Sequence, residues 1–264
     1  MESNNPESYF AVSSPHALVQ AIGYLKYEAN KLGLAVYVRG QSGLYGTLQP
    51  GLYRGISDQK AQVERHKALN AAIDSLVDRN PTFRDVDEDV REPLAQHYGL
   101  RTTWVDLVDN VWVALWFGCH QAYTAGEHRQ YLHFERRLQN FYDEMVYLIV
   151  VAVDAESKLG AGDQTEFVDL RRSTPSIYLR PHAQHGVLFR LKWIGPRRPV
   201  DYSSRIVGRI GLTLRNGLRW LGDSAMLNVH SLFPPPSYDK GYEHLLAQTV
   251  VGAPHVGSIH HIGS

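Results

Sequence analysis

The stretch EPLAQHYGLRTTWVDLVDNVWVALWF, residues 92–117, decides the fold. It combines His97, a threonine pair, Asp106 and several large aromatic side chains within a run that carries almost no charge. Such a composition is typical of a segment that is both core and the wall of a site. Its first part has helical composition and stops at Gly99, the residue type most common just after a helix end.

The second part of this stretch predicts a strand followed by a buried helix. Residues 102–108 are β-branched and aromatic, which favours a buried strand. Asp109 or Asn110 can then cap a helix over 111–123, whose apolar positions run nearly all the way round. Because a helix that is apolar on every side lies inside a domain, we expect the neighbouring strand to lie beside the core.

Working outward, the remaining patterns predict an α+β fold in one domain, with a mixed, split β-sheet flanked by helices. We expect a disordered lead-in at 1–14, the domain at 15–250 and a flexible tail at 251–264. The apolar and capping patterns predict helices over 15–31, 58–77, 205–221 and 238–250, and strands over 34–38, 145–153 and from Gly186, with a polar surface excursion at 124–144.

Bulk composition favours a soluble cytoplasmic protein. The 264 residues include a single cysteine, Cys119, which cannot form an internal disulfide. The polar first ten residues do not resemble a signal peptide. No window reaches the roughly 18 uncharged apolar residues that a membrane span needs.

The net charge of zero hides an uneven distribution. Residues 171–219 contain eleven basic residues and one acid, Asp201. This asymmetry predicts a nucleic acid or another polyanion as ligand, and the alternative is a basic helix with one solvated face. The arginines that we expect to contact phosphates are Arg197, Arg198, Arg205 and Arg209.

Arg39 is the clearest candidate for an anion-binding residue. It follows the apolar strand 34–38 and precedes Gly40, which permits close backbone approach. Its planar fork suits a phosphate or a carboxylate, and the alternative is an internal salt bridge, for example to Asp106. In the Gly- and Tyr-rich loop that follows, Tyr45 or Tyr53 can stack on a flat ligand or simply anchor the loop.

A metal site is not expected. His182 and His185 are spaced i and i+3, but a zinc site needs further ligands, and neither a CxxC nor an HExxH pattern is present.

Several motifs together resemble the FRG domain family, named for a Phe/Tyr-Arg-Gly signature. The matching segments are VRGQS at 38–42, LQPGLYR at 48–54, PLAQHYGLRTTWVDLVDNVWVALWF at 93–117, AQHGVLF at 183–189 and LRWLGDSAMLNVHSLFPP at 218–235. The sequence departs from the family pattern at Arg101, where proline is usual, at Thr103 and Trp104, which replace an arginine-leucine pair, and at Val38, which replaces an aromatic residue.

The family layout is similar to that of ADP-ribosyltransferases of the Arg-Ser-Glu kind, which implies an ADP-ribosyltransferase-like fold and NAD as the substrate. The resemblance implies that Arg39 holds the NAD phosphate or ribose and that the threonine strand braces the nicotinamide pocket. The residues expected to bind the cofactor are Arg39, Gln41, Tyr53, Tyr98, Thr103 and Trp104.

Cleavage of the nicotinamide glycosidic bond passes through an oxocarbenium-like state, so the site needs a nearby negative charge or acceptor. Gln184 matches the family's late polar position but cannot carry charge, whereas Asp106 can. His97 is a candidate general base towards an acceptor hydroxyl, and its alternative is a hydrogen-bonded core histidine. The expected catalytic set is therefore Arg39, His97, Asp106 and Gln184.

The resemblance also implies a biological role. FRG-like proteins occur as toxin or phage-defence effectors, so we expect transfer of ADP-ribose to a nucleic acid, with RNA favoured, or to a protein. A neutralising antitoxin protein would then be a partner. The alternatives are a non-catalytic nucleotide or nucleic-acid binding module, and an NAD glycohydrolase or nuclease.

Overall fold

The computed structural model describes residues 8–139, 144–154, 164–194, 198–222, 225, 227–247 and 253–263. Within these ranges the strands are β1 Phe10–Ala11, β2 Leu34–Gln41, β3 Val105–Val108, β4 His120–Ala125, β5 Tyr131–Arg136, β6 Met145–Asp154, β7 Thr165–Asp169, β8 Gly186–Leu191, β9 Ile206–Thr213 and β10 His261–Ile262. The α-helices are α1 Pro15–Asn30, α2 Gln59–Arg79, α3 Pro81–Arg84, α4 Glu88–Tyr98, α5 Val111–Cys119, α6 Leu170–Ser173, α7 Leu179–Ala183, α8 Leu214–Trp220, α9 Val229–Leu232 and α10 Lys240–Ala247.

A mixed seven-stranded sheet with strand order β1-β9-β6-β2-β3-β8-β7 organises the domain. The β1–β9 pair is parallel, and the other pairs in this sheet are antiparallel. Strands β4, β5 and β10 form a second, three-stranded sheet. The predicted α+β architecture with a mixed sheet flanked by helices is therefore confirmed.

The seven-stranded sheet is weakly joined between β2 and β3. Strand β2 pairs with β6 along its whole length, from Leu34 opposite Asp154 to Gln41 opposite Tyr147. Its register with β3 consists of the one pair Val38 and Val108. The carboxyl-terminal end of β2 therefore diverges from β3, and Arg39 is the first residue after the shared pair.

The central stretch folds largely as its sequence predicts. Helix α4 ends at Gly99, whose φ of 137° is a backbone conformation that favours glycine. The Asn110 side chain then accepts hydrogen bonds from the Trp112 and Val113 amides, which caps the start of α5. Helix α5 contains Trp116, which is fully buried.

The helix predicted over 111–123 is too long. Helix α5 ends at Cys119, and the next six residues form β4, which pairs with β5 from His120 opposite Arg136 to Ala125 opposite Tyr131. The continuous apolar run ends at Cys119, so there is no further apolar surface to keep a buried helix going. For the same reason part of the predicted surface excursion at 124–144 is instead strand β5.

The basic helix predicted over 205–221 is also wrong in its first half. Residues 206–213 form strand β9, and helix α8 begins only at Leu214, after the cap residue Thr213. The apolar residues Ile206 and Ile210 are four positions apart, a spacing that fits one helix face and also one strand face. Pairing with the apolar strand β6 decides in favour of the strand.

Both chain ends are more structured than predicted. Strand β1 pairs with β9, so the disordered lead-in does not extend to residue 14. At the other end β10 pairs with β5, and Val256 and Ile259 are buried, so the described part of the tail packs on the domain. Burial of apolar side chains compensates the entropy cost of ordering these segments. Residues 1–7 and 248–252, the latter including the end of the predicted last helix, lie outside the described ranges.

The core lies on both faces of the large sheet. One cluster packs α1, α5 and α8 against β2, β6 and β9, a second joins α2, α4 and α10, and a third covers the opposite face around Ile149 and Phe189. None of the helices in the described ranges has the length and apolar character that a membrane crossing requires.

Candidate functional site

Arg39 lies where β2 separates from β3, and it bridges the two strands. Its Nη1 donates a hydrogen bond to the main-chain oxygen of Asp106 at 2.8 Å. The Nε atom is buried and has no hydrogen-bond partner among the described residues. Burial lowers the pKa of Arg39 below its ordinary value, and the nearby Asp106 acts to raise it. The side chain therefore contacts Asp106 through its backbone, in place of the carboxylate salt bridge considered above.

A cavity of about 460 Å³ opens beside Arg39, and we call it the Arg39 pocket. Arg54, which ends the LQPGLYR segment, contributes a second, exposed guanidinium. No aspartate or glutamate is among the described residues that line this pocket. The lining residues are Arg39, Gly40, Gln41, Ser42, Tyr45, Thr47, Leu48, Gln49, Arg54, Phe117, His120 and Gln121.

Gly40 determines how closely α5 approaches this pocket. A Cβ atom at this position would lie 1.7 Å from the main-chain oxygen of Ala114. Only glycine permits that contact. The close approach places Phe117 of α5 and His120, the residue after α5, in the pocket wall. Burial lowers the pKa of His120, whose Nδ1 lies 2.8 Å from the Trp116 oxygen, so this ring is neutral at pH 7.

His97 and Asp106 form a polar cluster with Gln96. The His97 Nδ1 lies 3.9 Å from one Asp106 carboxylate oxygen, and the Gln96 amide donates to the other at 2.6 Å. Desolvation acts to raise the pKa of Asp106, but His97, Arg39 and Gln96 together hold it below its ordinary value. The Asp106 side chain is 46% exposed whereas that of His97 is 5% exposed. Asp106 is thus an ionised carboxylate open to solvent, oriented by a nearly buried imidazole.

The Asp106 carboxylate and the Arg39 side chain lie on opposite faces of the sheet. Leu107, next to Asp106, packs in the cluster around Ile149, and Ile149 is the register partner of Arg39. Because side chains alternate along a strand, Asp106 points the other way, towards α4. The contact between the two residues is therefore the hydrogen bond from Arg39 to the Asp106 main-chain oxygen.

Gln184, Tyr98 and Trp104 lie away from the Arg39 pocket. Gln184 is 5% exposed, and its amide donates to the Leu232 main-chain oxygen at 2.8 Å. Tyr98 is fully buried and donates to an Asp239 carboxylate oxygen at 2.6 Å. Trp104 is buried beneath the Arg190 guanidinium, 4.5 Å from its ring centre. These three side chains have structural partners of their own and do not form the wall of one site with Arg39.

Tyr53 and Thr103 line a second cavity of about 480 Å³, which we call the Tyr53 pocket. Its wall includes an ionic network in which Arg190 contacts Glu166 at 2.5 Å and Glu92 at 3.5 Å. Glu92 also accepts hydrogen bonds from the Thr103 amide and hydroxyl at 2.9 and 2.7 Å. The lining residues are Tyr53, His66, Asn70, Glu92, Thr103, Glu166, Arg190, Leu191, Lys192, Trp193, Ile194, Arg198, Pro199 and Tyr202.

The structure thus distributes the predicted site residues over separate places. Arg39 and Gln41 share one pocket, Tyr53 and Thr103 share the other, and His97 pairs with Asp106. Sequence reasoning missed the Arg190 network, because its members are far apart in the chain. The signal for Arg54 is local, since a basic residue near the end of a Gly- and Tyr-rich loop is typical of anion binding.

The described arginines of the basic segment differ in their surroundings. Arg205 donates to the Ala152 oxygen at 2.9 Å and lies 3.5 Å from an Asp154 carboxylate oxygen. Arg209 lies within strand β9, and Arg198 faces the Tyr53 pocket. Arg197 lies outside the described ranges. In the part of the chain that the structure covers, no group of three or more His, Cys, Asp or Glu side chains is arranged to hold a metal ion.

Residues 35–127 match the model of the FRG domain family. Over this range the chain is similar to the FRG domain family. The matched range runs from β2 to just beyond β4, so it includes every residue of the Arg39 pocket as well as the His97 and Asp106 pair. Gln184 and Arg198 lie outside the matched range. No curated protein and no solved structure matches the chain.

Proposed function

We propose that the FRG-like region of this protein binds the phosphate-bearing part of a nucleotide in the Arg39 pocket, and that the nucleotide is NAD. The observation that carries this proposal is the pair of guanidinium groups, Arg39 and Arg54, in a cavity whose described lining contains no carboxylate. Arginine forks match phosphate oxygens in geometry and charge, and none of the described lining residues is an acid that would compete for them.

The remaining lining suits the uncharged parts of such a ligand. Tyr45 and Phe117 offer ring surfaces, and Gln41 and Gln49 offer amides for hydrogen bonds. A volume of about 460 Å³ falls within the range of known ligand pockets, roughly 300–1,000 Å³. The pocket therefore favours a nucleotide over inorganic phosphate alone.

Calorimetric titration with ADP-ribose, NAD and adenosine tests the proposal. We expect ADP-ribose and NAD to bind and adenosine to bind much more weakly, since it lacks phosphate. Arg54→Gln should weaken ADP-ribose binding about 10- to 100-fold, the usual contribution of a hydrogen bond to a charged group. Arg79→Gln is the matched control, because Arg79 is exposed at the end of α2 and lines neither pocket. Equal affinities of the two variants would contradict the proposal.

The second candidate function is mono-ADP-ribosyl transfer, as part of a toxin or phage-defence effector with RNA favoured over protein as the acceptor. It is favoured by the ionised, half-exposed Asp106 carboxylate. Because this carboxylate lies on the opposite face of the sheet from the Arg39 side chain, transfer requires the ribose of NAD to pass through the gap where β2 diverges from β3. In this reaction the nicotinamide glycosidic bond breaks with its electrons leaving on nicotinamide, and the acceptor hydroxyl adds to the ribose while a base takes its proton. We assign the stabilising charge to Asp106 and omit Gln184, whose amide is already bonded in the interior.

Incubation with labelled NAD and separate fractions of RNA, DNA and protein distinguishes the candidates. Label on a macromolecule that disappears with Asp106→Asn supports transfer. Release of nicotinamide without labelled acceptor indicates a glycohydrolase, and binding without either product leaves a nucleotide-binding module. For the effector role, induced expression should stop growth and a neutralising antitoxin should restore it. Normal growth with folded protein present would contradict that role.

A further inference from the structure

The Tyr53 hydroxyl is a buried donor that has no acceptor among the described residues. Tyr53 is 1% exposed and lines the Tyr53 pocket, yet its O–H group donates to no acceptor of the described residues. Burial raises the pKa of Tyr53 above its ordinary value, and the Arg198 side chain lowers it through its charge and a hydrogen-bond interaction. Because a guanidinium can only donate, this interaction leaves the tyrosine O–H without an acceptor. A buried hydroxyl without a partner is costly, so it points to an acceptor that the protein itself does not supply.

Arg198 supplies a cation at the same pocket. Its guanidinium lies 4.3 Å from the centre of the Trp193 ring, and its Nη1 is 3.4 Å from the His66 Nδ1. Burial lowers the pKa of His66 and Arg198 lowers it further, so the ring is neutral and can accept this hydrogen bond. In the part of the chain that the structure describes, Arg198 forms no ion pair with a carboxylate, which leaves N–H groups for a ligand.

The acidic side chains of the pocket are already engaged. Glu166 and Glu92 both contact Arg190, and Glu92 also holds Thr103. Arg190 therefore balances these carboxylates, and the Arg198 guanidinium of the same lining has no carboxylate partner among the described residues. Trp193, which is 55% exposed, adds a flat aromatic surface covered in part by the guanidinium.

We propose that the Tyr53 pocket is a second ligand site, for a small anionic compound that carries a flat ring, of the nucleoside monophosphate class. The phosphate accepts hydrogen bonds from Tyr53 and Arg198, and the ring stacks on Trp193. Tyr53 and Arg54 are neighbours in the chain but line different cavities, so this site shares no lining residue with the Arg39 pocket. The inference therefore stands independently of the proposed function.

The test is calorimetric titration of the full chain carrying Arg54→Gln, which weakens the other pocket, with AMP as the probe. Adding Tyr53→Phe should lower the AMP affinity about 3- to 10-fold, and adding Arg198→Gln about 10- to 100-fold. Because Tyr53→Phe removes a hydroxyl that has no acceptor in the described structure, the melting temperature should change little. A lower AMP affinity without a lower melting temperature distinguishes a binding role of Tyr53 from a structural one.

Tyr178→Phe is the matched control, since its hydroxyl is also buried without a described partner but lines neither pocket. It should leave AMP binding unchanged. Equal AMP affinities of the Tyr53→Phe and Tyr178→Phe proteins would overturn the proposal, as would absence of AMP binding to the folded Arg54→Gln protein. Adenosine binding as tightly as AMP would overturn the anionic character of the site.

Discussion

The Arg39 pocket and the Tyr53 pocket have nearly equal volumes, and the loop that joins β2 to α2 lines both. They differ in whether their arginines are paired with carboxylates. In the Arg39 pocket, Arg39 and Arg54 face a lining without carboxylates among the described residues. In the Tyr53 pocket, Arg190 is held by Glu166 and Glu92. The difference teaches that an arginine in a cavity indicates a ligand only when its charge is not already balanced by the protein.

The largest effect should come from a substitution at Gly40, which lies in the wall of the Arg39 pocket. Gly40→Ala places a Cβ atom 1.7 Å from the Ala114 oxygen, so α5 must move. We expect a loss of about 3 kcal/mol in the free energy of unfolding, at the upper end for overpacking. Urea denaturation measures it. Gly23→Ala is the control, because this exposed position in α1 has no heavy atom within 4 Å, and alanine there should stabilise the helix by up to about 1 kcal/mol.

A smaller effect on the free energy of unfolding should distinguish Arg190, which is paired with carboxylates, from Arg54, which has no described carboxylate partner. Arg190→Gln leaves Glu166 and Glu92 without their cation in a partly buried network. We expect the free energy of unfolding to fall by about 1–2 kcal/mol, less than for a fully buried pair because Arg190 is 32% exposed. Arg54→Gln should change it by less than about 0.5 kcal/mol, as is usual for a surface position. Similar losses in both variants would remove the distinction between the two pockets.

The smallest effect concerns pH. The pKa of His66 is lowered by burial and by Arg198, so the folded protein binds fewer protons than the unfolded chain below the ordinary histidine pKa. Stability is therefore highest above about pH 6.5 and falls as the pH decreases from there towards the folded pKa. His66→Gln should remove part of that decrease, as measured by thermal unfolding between about pH 5 and pH 7.5. An unchanged pH dependence would argue against a neutral His66 in the Tyr53 pocket.

The sequence predicted local structure better than it predicted proximity. The central stretch gives α4, β3 and the start of α5 because caps, glycine and apolar composition act over a few residues. The helix predicted over the β9 residues was wrong, because a spacing of four residues fits one face of a helix and also one face of a strand. Pairing with β6 makes this segment a strand. Arg39 and Gln41 line the same pocket because they are two residues apart on one strand.

Gln184 illustrates what sequence could not give. Its partner is the Leu232 main-chain oxygen, 48 residues away, and no local pattern encodes that contact. The same holds for Arg190 and Glu92, which are 98 residues apart. Long-range charge pairing decides which basic residues remain free, and in this segment Arg190 and Arg205 are both paired with carboxylates.

The most direct test of the account is a crystal structure of the protein with ADP-ribose bound. We expect the diphosphate within hydrogen-bond distance of the Arg39 and Arg54 guanidinium groups, with the Arg190 network unchanged. A diphosphate held by Arg190 or Arg198 in the Tyr53 pocket, with the Arg39 pocket containing only solvent, would contradict the account.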